Sequence, residues 1–193
     1  MKTIYFCSTN NGKKIKLQKD ISQYSKNILL EIVDFEINEI QDINCENVSK
    51  NKVIEVYKKI NKPCIAMDSG LYISSLNNFP GSYVKMTLET IGIIGIMELI
   101  KNKSDKQFEI RNCLSYYDGE NLKQFTEVIN GNISNEIYPL INNDYAWSDL
   151  YKIIIPNGYN ITLAEMTNDI YLEWDKKRII NGMTKQFIEW FEK

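Results

Sequence analysis

The chain has 193 residues, enough for one sizeable core or two closely packed lobes and too few for two ordinary domains, so residues 1–193 are expected to form a single domain. Hydrophobic residues make up 44% and charged residues 25%, the composition of an ordinary soluble globular protein. The 23 basic and 25 acidic side chains leave a net charge of -2, which excludes a general electrostatic footprint for duplex nucleic acid or an anionic membrane; neither is expected as a partner, and an anionic ligand must be met by a local basic cluster.

In chain order, residues 2–8 read as a β-branched and aromatic strand, and Thr9-Asn10-Asn11-Gly12 as a turn opening a helix over residues 13–24. A strand, a polar glycine turn and a lysine-rich helix start can hold a phosphate between backbone N–H groups, Asn10 and Lys13. The same pattern also fits a capped helix with solvated lysines. Residues 28–35 read as a second strand and the polar stretch to Asn44 as a loop. Residues 46–60 carry Val48, Val53, Val56, Tyr57 and Ile60 at helical spacing, with Lys50, Lys52, Lys58 and Lys59 among the polar positions.

Residues 64–67 are a short apolar run that ends at Asp68, Ser69-Gly70 punctuate, and residues 71–76 read as a further strand. That places Asp68 at a strand end, where open α/β sheets keep their chemistry; a hairpin with a solvated aspartate fits as well. Residues 83–100 are apolar enough for one buried helix, with Gly92 and Gly95 implying close packing on the sheet. Residues 106–117 and 122–133 alternate as two long strands joined by Asp118-Gly119-Glu120-Asn121, a hairpin forming the outer part of a mixed sheet. An irregular loop to Asp149, a strand over 150–155, a helical turn at 162–166 and one closing helix over 173–192 complete the reading.

The chain contains no histidine, so any catalysis rests on carboxylates, lysines or hydroxyls. Cys7, Cys45, Cys64 and Cys113 are widely spaced with no C-x-x-C pair, which predicts reduced, buried thiols. The opening run Ile4-Tyr5-Phe6-Cys7 is too short for a signal peptide, and a cytoplasmic protein is expected.

Several motifs stand in register. Ser8-Thr9-Asn10-Asn11-Gly12-Lys13 looks like T-G-N-x-x-K. Asp68-Ser69-Gly70-Leu71 and Phe79-Pro80-Gly81-x-Tyr83 look like D-S-G-L and P-G-x-Y. Ile154-Ile155-Pro156-x-Gly158, Thr162-x-Ala164-Glu165-Met166 and Lys177-Arg178 are similar to F-x-P-x-G, T-x-A-E-L and S-H-R. Together, over nearly the full length, they resemble the inosine triphosphate pyrophosphatase family, Maf/Ham-like enzymes that hydrolyse deaminated purine nucleoside triphosphates to monophosphate and pyrophosphate.

The resemblance implies an α/β fold, an elongated mixed β-sheet flanked by helices in two lobes with a nucleotide cleft between them, assembled as a homodimer. It implies that Ser8, Thr9, Asn10, Lys13 and Lys52 meet phosphate. Tyr145 and Trp147 would sandwich the purine, although ordinary packing is the other use of two such aromatics, and Ser148, Asp149, Lys177 and Arg178 would contact the base. Asp68 would be catalytic and hold Mg2+, with Glu46 as a second ligand by a one-residue shift.

The chain departs from the family pattern in one place above all. Lys16 stands where the family has glutamate, Asn47 aligns with its metal-binding glutamate, and Met67 replaces an acid before Asp68. Ser148 replaces an aspartate, and the histidine of S-H-R is absent. These departures imply a degenerate active site. The expected function is binding of dITP, ITP or XTP with weak or no hydrolysis, as a nucleotide sensor or regulatory subunit of an effector protein. The alternatives are an active pyrophosphatase hydrolysing (d)ITP and XTP, and a structural subunit with a vestigial cleft.

Overall fold

The computed structural model describes residues 1–8, 10–141, 146 and 148–193. The elements in chain order are β1 (Lys2–Cys7), α1 (Asn11–Tyr24), β2 (Ile28–Val33), α2 (Cys45–Ile60), β3 (Cys64–Ile73), β4 (Pro80–Gly81), α3 (Val84–Thr90), α4 (Gly92–Ile100), β5 (Gln107–Tyr117), β6 (Leu122–Ile133), β7 (Ile154–Pro156), α5 (Asn168–Ile179) and α6 (Met183–Phe191). The strands form a mixed sheet of order β2-β1-β3-β5-β6-β7, with β4 paired to β3. β1 runs parallel to both β2 and β3, whereas β4 on β3 and β7 on β6 are antiparallel.

The chain divides into two compact units. Residues 1–69, 112–127 and 179–193 make the first. β1 and β3 are packed on both faces, and the period of two sorts their side chains. Ile4 and Phe6 of β1 and Ile65 and Met67 of β3 join a core with Leu17 and Ile21 of α1 and Phe187 and Ile188 of α6. Cys7 of β1 and Cys64 and Ala66 of β3 face the other way, onto Val53 and Val56 of α2.

Residues 70–111 and 128–178 make the second unit. Its core gathers Leu71 and Ile73, Ile96 and Ile100 of α4, Phe108, and Trp174 of α5. α3 and α4 leave much apolar surface uncovered: Met86 is 57% exposed and Ile94 68%, with Ile91 and Leu99 also exposed.

Several expectations are corrected. Ser69-Gly70 do not interrupt a strand, because β3 runs unbroken for ten residues. A Cβ on Gly70 would lie 2.8 Å from the Gly81 carbonyl carbon, so the glycine serves the close approach of β4 rather than a turn. Asp68 is therefore interior to a strand, not at its end. Residues 84–100 form two helices rather than one buried helix, divided at Gly92, whose φ of +64° no continuing helix accepts. Nothing approaches within 4 Å of a Cβ on Gly92, and the atoms nearest a Cβ on Gly95 belong to the Ile91 side chain of the preceding turn.

β5 and β6 lie where the alternation places them, but β5 sits beside β3 inside the sheet rather than on its outer part. The strand expected over 150–155 is a 3-10 turn, Asp149–Lys152, followed by β7. Ser148 Oγ accepts the Leu150 N–H, so a local side chain serves backbone that a strand would have paired elsewhere, and Lys152 pairs with Asp149 across the same turn at 2.6 Å. The expected closing helix is α5 and α6, separated at Gly182, whose backbone is extended.

Candidate functional site

The first unit places four charged side chains within reach of one another, and each follows from local periodicity. On α1, Asn10 is the N-cap, its Oδ1 accepting the Lys13 N–H at 3.0 Å. Lys13 is four residues before buried Leu17 and eight before buried Ile21, in register with the packed stripe of its helix. On α2, Lys52 follows Val48 and Ser49 by one turn along the buried stripe Cys45, Val48, Ser49, Val53, Val56, so its side chain is only 13% exposed. On β3, Cys64 and Ala66 face α2, and Asp68 continues that alternation.

The fourth member is Glu39, which the sequence reading missed. The segment after β2 stays extended in its alternation: Val33, Phe35 and Ile37 pack onto the α2-facing core, and Glu39, two residues on, pairs with Lys52. Lys59 fixes this segment by donating to the Glu36 carbonyl at 2.5 Å and lying over the Phe35 ring at 4.9 Å. The signal was present as the alternation in Phe35-Glu36-Ile37-Asn38-Glu39, but a run of mostly polar residues reads as loop when its apolar partner face is unknown. A cavity of about 280 Å3 opens beside this pair, lined by Cys7, Ser8, Phe35, Ile37, Glu39 and Lys52 among others.

The four charges shape one another. Burial pushes the Asp68 carboxyl up to about 6; Lys13 and Lys52 pull it back down, and Glu39 raises it. Asp68 Oδ2 is buried without a hydrogen-bond partner. Burial lowers the pKa of Lys13, and the Asp68 carboxylate opposes this. A buried, unpartnered carboxylate oxygen beside a second acid and two ammonium groups suits a cation and phosphate together, since magnesium uses one or two carboxylates and completes its shell with water and substrate phosphate. Asp68 and Glu39 would hold the ion, and Lys13 and Lys52 the phosphates.

The other expected residues divide. Ser8 is buried at the cavity, its Oγ accepting the Asn10 N–H at 3.1 Å. Glu46, in the first turn of α2, lies with its Oε2 3.7 Å from Cys45 Sγ, and its charge acts on the Cys113 thiol; the charges acting on Asp68 are those of Lys13, Lys52 and Glu39. Asn47 is exposed and donates to Asp42 Oδ2 at 2.8 Å. The acid whose charge bears on Asp68 is Glu39. Among the described residues no group of three potential metal-ligating side chains occurs.

Of the base-end candidates, Ser148, Asp149, Lys177 and Arg178 lie in the second unit. Thr9, Tyr145 and Trp147 fall outside the described residues. Ser148 caps the 3-10 turn, and Asp149 pairs with Lys152. Lys177 and Arg178 end α5 rather than starting the last helix; Lys177 pairs with Glu173 at 2.6 Å, and Arg178 with Asp175, its guanidinium 5.7 Å from the Trp174 ring centroid.

Residues 4–178 match the Ham1 family, and the chain belongs to it. A dITP/XTP pyrophosphatase of Saccharolobus solfataricus is 34% identical over 159 residues, which cover 82% of this chain and 80% of that protein. A second, from Pyrococcus horikoshii, is 30% identical over 191 residues, covering 98% and 96%. The Ham1 protein of Staphylococcus aureus superposes over the whole of both chains with a TM-score of 0.76 at 21% identity, a likeness of fold. The α/β architecture expected from the sequence is thus that of its family.

Proposed function

We propose that this protein is a magnesium-dependent pyrophosphatase of deaminated purine nucleoside triphosphates, of the dITP and XTP kind. The observation that carries this reading is Glu39 beside Asp68. Three carboxylates of the family pattern are missing at Lys16, Asn47 and Met67, and the pair of Glu39 with Lys52 and its charge on Asp68 support a second acid from another segment. Bound magnesium would neutralise phosphate charge and polarise the attacked phosphorus. Lys13, in the first turn of α1, and Lys52 would hold the phosphate chain. The oxygen of water joins the α-phosphorus, and the α–β bridging oxygen leaves with pyrophosphate.

Pyrophosphate release from dITP, ITP, XTP and dATP with magnesium or manganese, run beside a binding titration on the same sample, tests the reading. Turnover near 1 per second or faster, lost in both Glu39→Gln and Asp68→Asn, supports it. Unchanged turnover in Asp68→Asn sinks it.

One observation favours a second reading, a nucleotide receptor with weak or no hydrolysis: among the described residues the acids at the site stop at two, without the third that the family pattern carries. Tight binding of dITP without turnover selects it, and the effector partner that such a sensor requires becomes the next object of search.

A homodimer is proposed on the family resemblance, and the uncovered apolar side chains of α3 and α4 are in keeping with it; sedimentation equilibrium tests it. Among the described residues no helix is long and apolar enough to cross a membrane. Four free, buried thiols support a cytoplasmic place.

A further inference from the structure

Glu39 has one carboxylate and two claimants. Its partner is the Lys52 ammonium group, and the same ammonium bears on Asp68 and on Lys13. Two lysines and two acids thus share this end of the first unit, and with all four ionised their charges cancel. A divalent cation placed on Asp68 and Glu39 must take Glu39 from Lys52, and it leaves two ammonium groups facing a cation. A phosphate chain arriving alone meets the converse obstacle, because both ammonium groups already face carboxylates. Each ligand removes what hinders the other.

We propose that Lys52 is a transferable counter-ion, paired with Glu39 until a divalent cation takes that carboxylate and then turned onto the phosphate chain of the nucleotide. This rests on the pyrophosphatase reading of the site and adds to it that metal and triphosphate bind with mutual dependence. Lysine suits the task, since its ammonium is a compact charge on a flexible stem and can move without movement of α2. The cavity of about 280 Å3 beside Lys52, walled by Ser8, Phe35 and Ile37, gives the side chain room to turn. Glu39 suits it as well: at 46% exposed it keeps a hydrated carboxylate that an ion can approach from solvent.

The test is manganese binding to the full chain without nucleotide, followed by the paramagnetic signal of the free ion, for wild type, K52M, K52R and E39Q. Methionine keeps the length and apolar stem of lysine and removes the competitor. K52M is expected to bind manganese roughly tenfold more tightly than wild type, because a like charge has been taken from the ion's neighbourhood. K52R, which can keep the pair with Glu39, should stay near wild type. The same K52M protein should bind pyrophosphate in metal-free buffer more weakly than wild type. Opposite changes for the two ligands in one variant are the signature, since a damaged fold weakens both. K52M binding manganese no more tightly than wild type overturns the inference. E39Q separates the two levels: loss of manganese binding in E39Q with no gain in K52M removes only the counter-ion role, whereas manganese binding unchanged in E39Q removes the site reading beneath it.

Discussion

Ser49 Oγ and Ser115 Oγ share a hydrogen bond of 2.8 Å between two fully buried side chains. Ser49 Oγ also lies 3.2 Å from the carbonyl oxygens of Ala66 and Cys113, and Gln124 Nε2 donates to Ser115 Oγ at 3.0 Å and to the Glu46 carbonyl at 2.9 Å. This network fastens α2 to β3 two residues before Asp68 and one helical turn before Lys52. Replacing Ser49 by alanine removes a member while leaving Ser115 buried, at a cost of about 1 to 3 kcal/mol in urea unfolding. The KM for nucleotide should rise more than kcat falls, because Lys52, the proposed phosphate ligand, loses its anchorage before the reacting groups do.

The raised pKa of Asp68 gives two linked outcomes. Its folded value, about 6, lies above the ordinary 3.8, so the folded protein binds the proton more tightly than the unfolded chain. The ionised side chain therefore weakens the fold above pH 6, and the penalty disappears below about pH 4. Asp68→Asn should be more stable than wild type at pH 8, by on the order of 2 kcal/mol, with no advantage at pH 4. Thermal unfolding at the two pH values checks the sign.

Activity carries the same group. Turnover should fall as pH drops through about 6, when Asp68 takes up its proton. Lys13 holds that value down, so Lys13→Met should move the acidic limb of the profile upward as well as raising KM. A pH–rate profile of the two proteins decides it; an acidic limb that stays in place would show that another group controls it.

Gly70→Ala sets a Cβ 2.8 Å from the Gly81 carbonyl carbon and 2.7 Å from the Tyr72 ring. The ring can rotate away but the backbone of β4 cannot. A loss of about 1 to 3 kcal/mol in chemical denaturation is expected, as for other overpacked positions.

All four cysteines are buried, and burial pushes the Cys64 thiol up to about 12. A thiol-specific chromogenic reagent should label none of them in native buffer within minutes and all of them in denaturant. Rapid labelling in the native state would contradict the packing of Cys7 and Cys64 against α2.

Elements with a complete local signal were legible in the sequence. β1, β2, α2, β5 and β6 stand within a few residues of their expected bounds, because each carries an unbroken period of two or of three to four. Elements whose limits depend on a neighbour were not. Gly70 looks like a turn residue until β4 is seen against it, and Gly182 looks tolerable inside a helix until α5 and α6 separate there. The same distinction governs the site. Lys13, Lys52 and Asp68 carry motif signals, but Glu39 owes its place beside Lys52 to Phe35 and Ile37 packing on the α2-facing core, a fact of tertiary structure. Glu46, expected as a metal ligand by a one-residue shift from Asn47, lies in the first turn of α2, where its charge acts on the Cys113 thiol and Asn47 donates to Asp42.

The unit that holds Asp68, Glu39, Lys13 and Lys52 is assembled from three separate stretches of chain, the last of them residues 179–193. During synthesis the second unit has all its residues available once position 178 has emerged, while α1 still lacks α6, the helix it packs against. A ribosome-bound chain short of α6 consequently carries the residues of the proposed site while the helix that bears Lys13 still lacks its packing partner.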